Sequence, residues 1–418
     1  MRNQTLTLLL TAFVAACSDE SSGTAPADTS TGSGSGDTGS STDTGSSTDT
    51  GSSTDTGSDA DTNSEADGSG EGSAQPLLPS LRLRGPHTFA TTSDELVDET
   101  RPFPAGSGEA AEPRRLPVTI WHPTDAAAPG PVIIWAHGLG STRSDNRKTA
   151  EILASRGYIV ASADFPKTNR LAQPPDVADV VNQPGDLKLL ADRVLALGTT
   201  AGSPLEGRVD TEKMAYVGLS LGAMTVMLAT WQTEFYDPRI DAVVALAPPS
   251  CYLPRPLFET TSVPALIMLG TGDAIVDYTS SVASFAEIPA PSLVVSLERG
   301  SHTAFADVVS DFFNNVPHPD VIGCSSVVSD IDVSTLGTLA ESLGGASAEV
   351  VNAECVAPCS TNQTETPSMR SGRQAELTIA SVVGFLDGVF VPGAASLTTL
   401  GAALAAEPDV AVAARLTP

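Results

Sequence analysis

Apolar runs and amphipathic segments alternate along the chain from about residue 116 onward. Short continuous runs of Val, Ile, Leu and Ala are typical of strands buried on both faces. Such runs occur at Leu116–Trp121, Pro131–Ala136, Tyr158–Ala163, Met214–Val217, Ile240–Ala247, Pro264–Leu269 and Leu293–Leu297. Segments with helical spacing of apolar residues lie at Thr149–Arg156, Asp186–Leu197, Leu221–Thr230 and Glu376–Phe390. This alternation predicts an α/β fold with a mostly parallel central sheet and helices on both faces.

One stretch, about residues 307–373, breaks the alternation. It contains three of the five cysteines together with several Gly and Pro residues. Long irregular segments inside compact domains are usually functional or disordered. We interpret this stretch as an insertion beside the functional site, where it would form a lid or a wall of the pocket.

The N-terminal part of the chain has a different composition. Between Ser18 and Gln75 there is no aromatic residue and no Lys or Arg, and Asp-Thr-Gly-Ser-Ser-Thr repeats with a period of six from Asp37. Such a segment cannot bury enough apolar surface to offset the entropy of ordering it, so we predict a disordered spacer. Calcium binding is the alternative, but calcium loops need several oxygen ligands within one turn. The net charge of −28 also argues against a nucleic-acid partner.

The first seventeen residues resemble a lipoprotein signal. The apolar run from Leu6 to Ala16 is too short to span a bilayer and fits the core of a signal peptide. Val14-Ala-Ala-Cys17 resembles a bacterial lipobox, which predicts lipidation of Cys17 and export to an outer membrane or cell surface. The alternative is an ordinary signal peptide that happens to contain a cysteine. The predicted organisation is therefore a signal peptide (1–16), a tether (17–76) and a folded domain (77–418).

Export makes the remaining four cysteines candidates for disulfides. An even number of cysteines in an oxidising compartment suggests two bridges, and four cysteines allow three pairings among which the sequence does not choose. A zinc site is the alternative, but Cys355-x-x-x-Cys359 lacks a clear second pair of ligands, so we predict no metal. The four candidates are Cys251, Cys324, Cys355 and Cys359.

The stretch Gly218-Leu-Ser-Leu-Gly222 follows an apolar strand and precedes a helical segment. In that context a Gly-x-Ser-x-Gly pattern predicts a tight strand-to-helix turn with an exposed serine hydroxyl. Gly218 and Gly222 lack the side chains that would keep strand and helix apart. The helix N-terminus favours the negative charge that develops during attack. We therefore predict that Ser220 is a nucleophile, the alternative being a plain helix N-cap.

A site for acyl transfer also needs two hydrogen-bond donors for an oxyanion. The N–H of the residue after the nucleophile, Leu221, would supply one. The loop His137-Gly138-Leu139-Gly140 follows an apolar strand, and its glycines let it curl back toward the serine. We predict that the Leu139 N–H is the second donor. The His137 ring is predicted to brace this loop, with a role as general base as the alternative.

The general base and the acid that orients it should follow the nucleophile in the order Ser, Asp or Glu, His. Only His302 and His318 lie after Ser220 in the sequence. His302 comes directly after the last predicted core strand and is the predicted base, whereas His318 lies in the irregular segment. Asp273 follows a strand through a glycine turn and is the predicted acid. Asp277, interpreted as a helix-start residue, is the alternative.

These motifs together resemble the α/β-hydrolase superfamily, and within it the dienelactone-hydrolase-like and platelet-activating-factor acetylhydrolase-like branch near polyester hydrolases and cutinases. The resemblance implies a serine hydrolase of carboxylic esters that needs no cofactor. Dienelactone hydrolases proper use a cysteine nucleophile, so the serine here does not imply their substrate. The stretches that carry the resemblance are Arg115–Pro123, Trp135–Gly140, Ser155–Tyr158, Val217–Gly222, Leu269–Asp273 and Gly300–His302.

The sequence therefore predicts a tethered, monomeric esterase whose partners are a small-molecule, lipid or polymer ester and, through Cys17, a membrane. A thioesterase, a peptidase or an acyltransferase would use the same triad, and the residues named do not separate these activities. A non-catalytic surface binding protein on a hydrolase fold is a further alternative. The full set of Ser220, Asp273, His302 and the loop at Gly138 argues against it.

Overall fold

Nine strands form one mixed sheet in the order β1-β2-β4-β3-β5-β6-β7-β8-β9. The structure is a computed structural model that describes residues 76–103, 111–172, 174–253, 256–326, 355–361 and 366–417. The strands are β1 (Phe89–Phe103), β2 (Glu112–Pro123), β3 (Gly130–Ala136), β4 (Ile159–Ala163), β5 (Val209–Leu219), β6 (Ala242–Leu246), β7 (Ala265–Gly270), β8 (Ser292–Leu297) and β9 (Val410–Arg415).

The helices lie between the strands and after them. They are α1 (Leu77–Leu81), α2 (Arg147–Ser155), α3 (Gln183–Thr199), α4 (Leu221–Trp231), α5 (Tyr278–Ala283), α6 (Ser310–Phe313), α7 (Asp320–Ser326), α8 (Ser371–Phe390) and α9 (Leu397–Ala405). Short 3₁₀ helices occupy Val177–Val181, Ser250–Tyr252, Thr303–Phe305 and Asp307–Val309.

The central six strands, from β4 to β8, are parallel, while β1, β2 and β9 run antiparallel to their neighbours. Alternate residues of each strand enter opposite cores: Ile134 packs with α3 and α4, whereas Ile133 packs with α2, α8 and α9. This arrangement confirms the predicted mostly parallel sheet with helices on both faces. Because parallel strands all point the same way, the loops after β3, β5, β7 and β8 emerge at one edge of the sheet.

The elements that were not predicted from the sequence include the strands β1 and β9 and the helices α1, α6, α7 and α9. Both strands are at the edges of the sheet, and many of their side chains are exposed. β1 accordingly carries Thr, Asp and Glu where a central strand would carry Val and Ile. The continuous apolar run that reveals a buried strand is absent from such edges. β5 begins at Val209, whereas the apolar run that predicted it begins only at Met214. The first residues of β5 are not buried, so no apolar pattern marks them.

All the described residues lie within one compact unit, Gln75–Pro418. The predicted signal peptide, Cys17 and the tether up to residue 75 fall outside the described residues. The 307–373 segment is described in part, and its described residues include the short helices α6 and α7 and the first residues of α8. No helix among the described residues is both long and apolar enough to cross a bilayer.

Candidate active site

Ser220 occupies a strained turn between β5 and α4. Its backbone has φ 55° and ψ −118°, a left-handed conformation that non-glycine residues seldom adopt and that costs about 1–3 kcal/mol. The turn is held by a hydrogen bond from the Ser220 N–H to the Leu246 carbonyl (2.8 Å) on β6. The Ser220 side chain makes no capping hydrogen bond to α4 and is partly exposed. The plain N-cap alternative therefore does not describe this serine.

The glycines around Ser220 are required by close backbone contacts. A Cβ atom on Gly218 would lie 2.2 Å from the Gly222 carbonyl oxygen, and one on Gly222 would lie 2.2 Å from the carbonyl oxygen of Ala136. Both distances are far below van der Waals contact. A Cβ atom on Gly138 would lie 3.3 Å from the Cβ atom of Ser220. The loop after β3 thus lies directly against the serine turn.

His137 holds that loop in place. Its ring is buried, with Nε2 accepting the Phe165 N–H (3.0 Å) and Nδ1 bonded to the carbonyl of Gly138 (2.7 Å). Because Nε2 accepts from a backbone N–H, the proton lies on Nδ1, which donates to Gly138. Both ring nitrogens are thus engaged with the backbone, as expected for a ring that braces the loop.

One predicted oxyanion donor, Leu221, belongs to the serine turn, and the other, Leu139, belongs to the loop that lies against it. Leu139 follows Gly138, and its N–H donates no hydrogen bond within the described part of the chain. Leu221 is the first residue of α4, where N–H groups have no carbonyl partner one turn earlier. The loop beyond Leu139 is fixed by the Gly140 N–H, which donates to the Thr168 carbonyl (2.8 Å).

His302 and Asp273 form a buried hydrogen-bonded pair. The His302 Nδ1 atom lies 2.7 Å from Asp273 Oδ2, and the two residues are 7% and 3% exposed. A carboxylate can only accept, so Nδ1 carries the proton and the lone pair of the other ring nitrogen, Nε2, is available as a base. The second oxygen of Asp273 accepts the N–H groups of Ile275 (2.9 Å) and Val276 (2.7 Å), which fix its orientation.

Burial and neighbouring charges shift the pKa values of His302 and Asp273 in opposite directions. Burial by itself lowers the pKa of His302, but the charge of Asp273, the hydrogen bond to it and the charge of Asp320 outweigh burial. The pKa of His302 is therefore raised above its ordinary value. Burial raises the pKa of the Asp273 carboxyl, and the neighbouring His302 opposes that rise.

The sheet brings Ser220, Asp273 and His302 to one edge, but hydrogen bonds do not join all three. Ser220 follows β5, Asp273 follows β7 and His302 follows β8, with β6 between the first two. Among the described residues, no hydrogen bond joins the Ser220 hydroxyl to His302. Catalytic hydrogen bonds are often long without substrate and tighten in the complex.

Asp277 and His318, the alternatives to Asp273 and His302, lie in different environments. Asp277 caps α5 by accepting the N–H of Ser280 (2.8 Å), which agrees with its interpretation as a helix-start residue. His318 is partly buried and lines a cavity of about 540 Å³ together with Gly272 and Cys324. Neither contacts the His302 ring among the described hydrogen bonds.

The four predicted cysteines form two disulfides, Cys251–Cys355 and Cys324–Cys359. This is one of the three pairings that the sequence left open. Cys251–Cys355 ties the segment after His302 to the loop after β6, whereas Cys324–Cys359 joins two parts of that segment to each other. Within the described ranges, no group of three or more His, Cys, Asp or Glu side chains is arranged to hold a metal ion.

One residue of this region was missed by sequence reasoning. Asp320 is 3% exposed and accepts backbone N–H groups from Ala274 (3.0 Å), His302 (2.9 Å) and Thr303 (2.7 Å). The only local signal is Pro319-Asp320 at a helix start. The donors are 17 to 46 residues away in the sequence, so no local pattern predicts them.

The sheet order, the turn at Ser220 and the loops at the carboxyl edge are those of the α/β-hydrolase fold. Residues 116–311 match the family model described as "PETase: PET hydrolase-like". The matched stretch is just under half of the chain and extends from β2 to beyond His302. The match supports a carboxylic ester hydrolase in general terms.

Among solved structures, the ferulic acid esterase from Streptomyces cinnamoneus matches with 18% sequence identity and a TM-score of 0.48. The alignment covers 78% of this chain and 96% of that chain. No curated protein sequence matches the chain.

Proposed function

We propose that this protein is a serine hydrolase that cleaves carboxylic esters through an acyl-enzyme. The observation that carries the proposal is the left-handed backbone of Ser220 between two obligatory glycines, at the same sheet edge as the buried His302–Asp273 pair. A hydroxyl presented on such a turn is typical of a nucleophile in this fold. Backbone strain of this kind also concentrates at active sites.

In the proposed first step, the Ser220 Oγ atom attacks the ester carbonyl carbon while its proton passes to Nε2 of His302. Asp273 holds the ring in the required tautomer and stabilises the imidazolium. The N–H groups of Leu139 and Leu221 bind the oxyanion of the tetrahedral intermediate. That intermediate then expels the alcohol, which takes the proton back from His302.

In the second step, water attacks the acyl group on Ser220 and gives a proton to His302. Collapse of the second tetrahedral intermediate releases the carboxylic acid and returns the proton to the Ser220 oxygen. Protons and atoms balance over the cycle, and the chain needs no group beyond its own residues for it. The match to a PET hydrolase-like family model makes polyesters of aromatic acids the first polymeric substrates to test.

The test is hydrolysis of p-nitrophenyl esters of increasing chain length by the full-length protein, beside Ser220→Ala. We expect turnover by the wild type and a loss of about 10⁴-fold or more in the variant. Turnover that survives in Ser220→Ala would refute the nucleophile. Thioester and p-nitroanilide substrates run in parallel separate an esterase from a thioesterase or peptidase, and a polyester film tests the polymer.

We further propose that the protein is exported and anchored through a lipid on Cys17, with residues 17–76 as a tether. The two disulfides support export, because such bonds form and persist in oxidising compartments. Cys17→Ser should move the protein from the membrane fraction to the soluble fraction. Retention of the variant on membranes would contradict the anchor.

A further inference from the structure

Asp320 connects two loops that the proposed chemistry depends on. Its Oδ2 atom accepts the N–H groups of Ala274 (3.0 Å) and His302 (2.9 Å), and its Oδ1 atom accepts the N–H of Thr303 (2.7 Å). Ala274 directly follows Asp273, so one buried carboxylate binds the backbone next to the proposed acid and the backbone of the proposed base. The relative position of the two loops is therefore fixed through this side chain.

The bonds of Asp320 are not those of an ordinary helix cap. It is the first residue of α7, yet its described hydrogen bonds all come from the loops after β7 and β8 and none from α7 itself. No Lys or Arg forms an ion pair with it among the described residues. A buried carboxylate satisfied by three amides from two other loops is an arrangement that orients those loops.

The helix that carries Asp320 is itself tied to the loop of the proposed acid. Cys324, one turn after Asp320, is bonded to Cys359. The Cys359 N–H donates to the carbonyl of Ile275 (3.3 Å), two residues after Asp273. The disulfide thus holds α7 against the same loop that the Asp320 carboxylate binds.

We propose that Asp320 is a positioning residue that holds the backbones of the Asp273 and His302 loops in the geometry required for general-base catalysis. The proposal rests on the proposed function, since it assigns Asp320 a role in that reaction. A displacement of about 1 Å in a supporting contact can cost about 10²-fold in rate, so loss of this carboxylate should be visible in kcat.

The position of Asp320 also has an electrostatic consequence. The charged groups that act on His302 are Asp273, from the loop after β7, and Asp320, from α7, and both raise its pKa against the effect of burial. Removing the charge of Asp320 should therefore lower the pKa of His302. The acidic limb of the pH profile should then move to lower pH.

The experiment compares Asp320→Asn with Asp307→Asn in the full-length protein. Asp307 is a matched control: it is buried, follows His302 by five residues and accepts the N–H groups of Lys148 and Thr149 and the Thr149 hydroxyl. Its donors belong to α2 and not to the two loops. Tm, fluorophosphonate titration of active sites, and kcat and KM as functions of pH are measured for each protein.

For Asp320→Asn we expect kcat per titrated site to fall by about ten- to a hundredfold, with KM little changed and the acidic limb of kcat/KM at lower pH. Asp307→Asn should lower Tm without moving that limb. If Asp320→Asn is isolated mainly unfolded, Asp320→Glu provides the test. Asp320→Glu keeps the negative charge but displaces it. Its kcat should therefore fall, while the acidic limb of kcat/KM should stay at the wild-type pH.

A wild-type kcat and an unmoved acidic limb in Asp320→Asn would overturn the proposal while leaving the proposed function intact. The same would follow if Asp307→Asn moved the limb equally. Absence of turnover in the wild type would instead refute the proposed function. The two failures are therefore distinguishable.

Discussion

Two buried clusters of acidic side chains in this protein differ in the groups that compensate their charge. In the first, the guanidinium of Arg114 on β2 binds Asp179 through two hydrogen bonds (2.7 and 2.9 Å) and Asp186 through two more (2.9 and 2.5 Å). Arg114 is only 1% exposed. A guanidinium stays protonated throughout the range in which proteins are folded, so the cation of this cluster does not lose its charge.

In the second cluster, no Lys or Arg of the described ranges forms an ion pair with the acids. Asp273 faces the imidazole of His302 and two backbone N–H groups, while Asp320 is bound by three backbone N–H groups. The partner that carries positive charge is therefore one that gains and loses a proton near neutral pH. A buried acid paired with arginine contributes to structure, whereas a buried acid paired with histidine is suited to proton transfer.

The largest expected difference between the clusters is in catalysis. Asp273→Asn should lower kcat by about 10³- to 10⁴-fold, because the amide no longer holds the His302 tautomer that leaves Nε2 free. The Asn oxygen can still accept the N–H groups of Ile275 and Val276, so Tm should change little. Ester hydrolysis and thermal unfolding measure the two effects.

Asp277→Asn is the control, since Asp277 is on the same loop and caps α5. Its activity should remain close to that of the wild type. Equal losses of activity in the two variants would contradict the assignment of Asp273 as the acid.

The second difference is in stability. Arg114→Ala leaves Asp179 buried without its cation and Asp186 paired only with Arg101 (2.9 Å), and it should lower the free energy of unfolding by about 3–5 kcal/mol. The neighbouring Arg115→Ala breaks an exposed contact with Glu95 (3.4 Å) and should cost less than about 1 kcal/mol. Chemical denaturation measures both, and similar values for the two variants would refute a structural role for the Arg114 cluster.

The second cluster, unlike the first, includes a residue of a helix that a disulfide holds in place. The second depends on α7, which the Cys324–Cys359 disulfide anchors. Replacing both of these cysteines with serine should lower stability by about 2–4 kcal/mol and reduce kcat, because Asp320 is less well held. Replacing Cys251 and Cys355 should lower stability with a smaller loss of kcat, and the reverse order of kcat losses would contradict the role assigned to α7.

The smallest expected effect is in the pH dependence of the second cluster. As pH rises, kcat/KM should increase while the stability contributed by His302 decreases. Because the pKa of His302 is raised, kcat/KM should fall as pH decreases through a midpoint above about 6.5, the ordinary value for histidine. The stability that protonated His302 contributes is complete below its unfolded pKa and is lost as pH rises through the folded pKa. The difference in unfolding free energy between wild type and His302→Gln should therefore shrink over the pH range in which activity appears, and a constant difference would contradict the raised pKa.

The catalytic candidates were accessible from sequence because each lies next to a strand that is buried on both faces. Such strands consist of continuous Val, Ile, Leu and Ala, so their ends are visible, and the residues after them meet at one edge of a parallel sheet. Ser220, Asp273 and His302 were all found in this way. His302 pairs with Asp273 and not with Asp277 because of the geometry of the loop after β7. The sequence favoured Asp273 but did not determine that geometry.

The supporting residues were not accessible in the same way. Arg114 and Asp186 lie 72 residues apart and meet only in the folded chain, where the Arg114 side chain reaches from β2 to the first turn of α3. Asp320 has its partners in two other loops, and the sequence around it is irregular. Tertiary contacts of this kind leave no periodic pattern in the sequence. The polar edge strand β1 was missed for another reason, because its largely exposed side chains form no continuous apolar run.

The whole proposed reaction depends on Ser220 as the nucleophile. This assignment is tested most directly by treating the full-length protein with a fluorophosphonate and locating the adduct by mass spectrometry. We expect one phosphonylated residue, Ser220, with no labelling in Ser220→Ala and slower labelling in Asp273→Asn. A label on another residue, or ester turnover without any label on Ser220, would contradict the assignment.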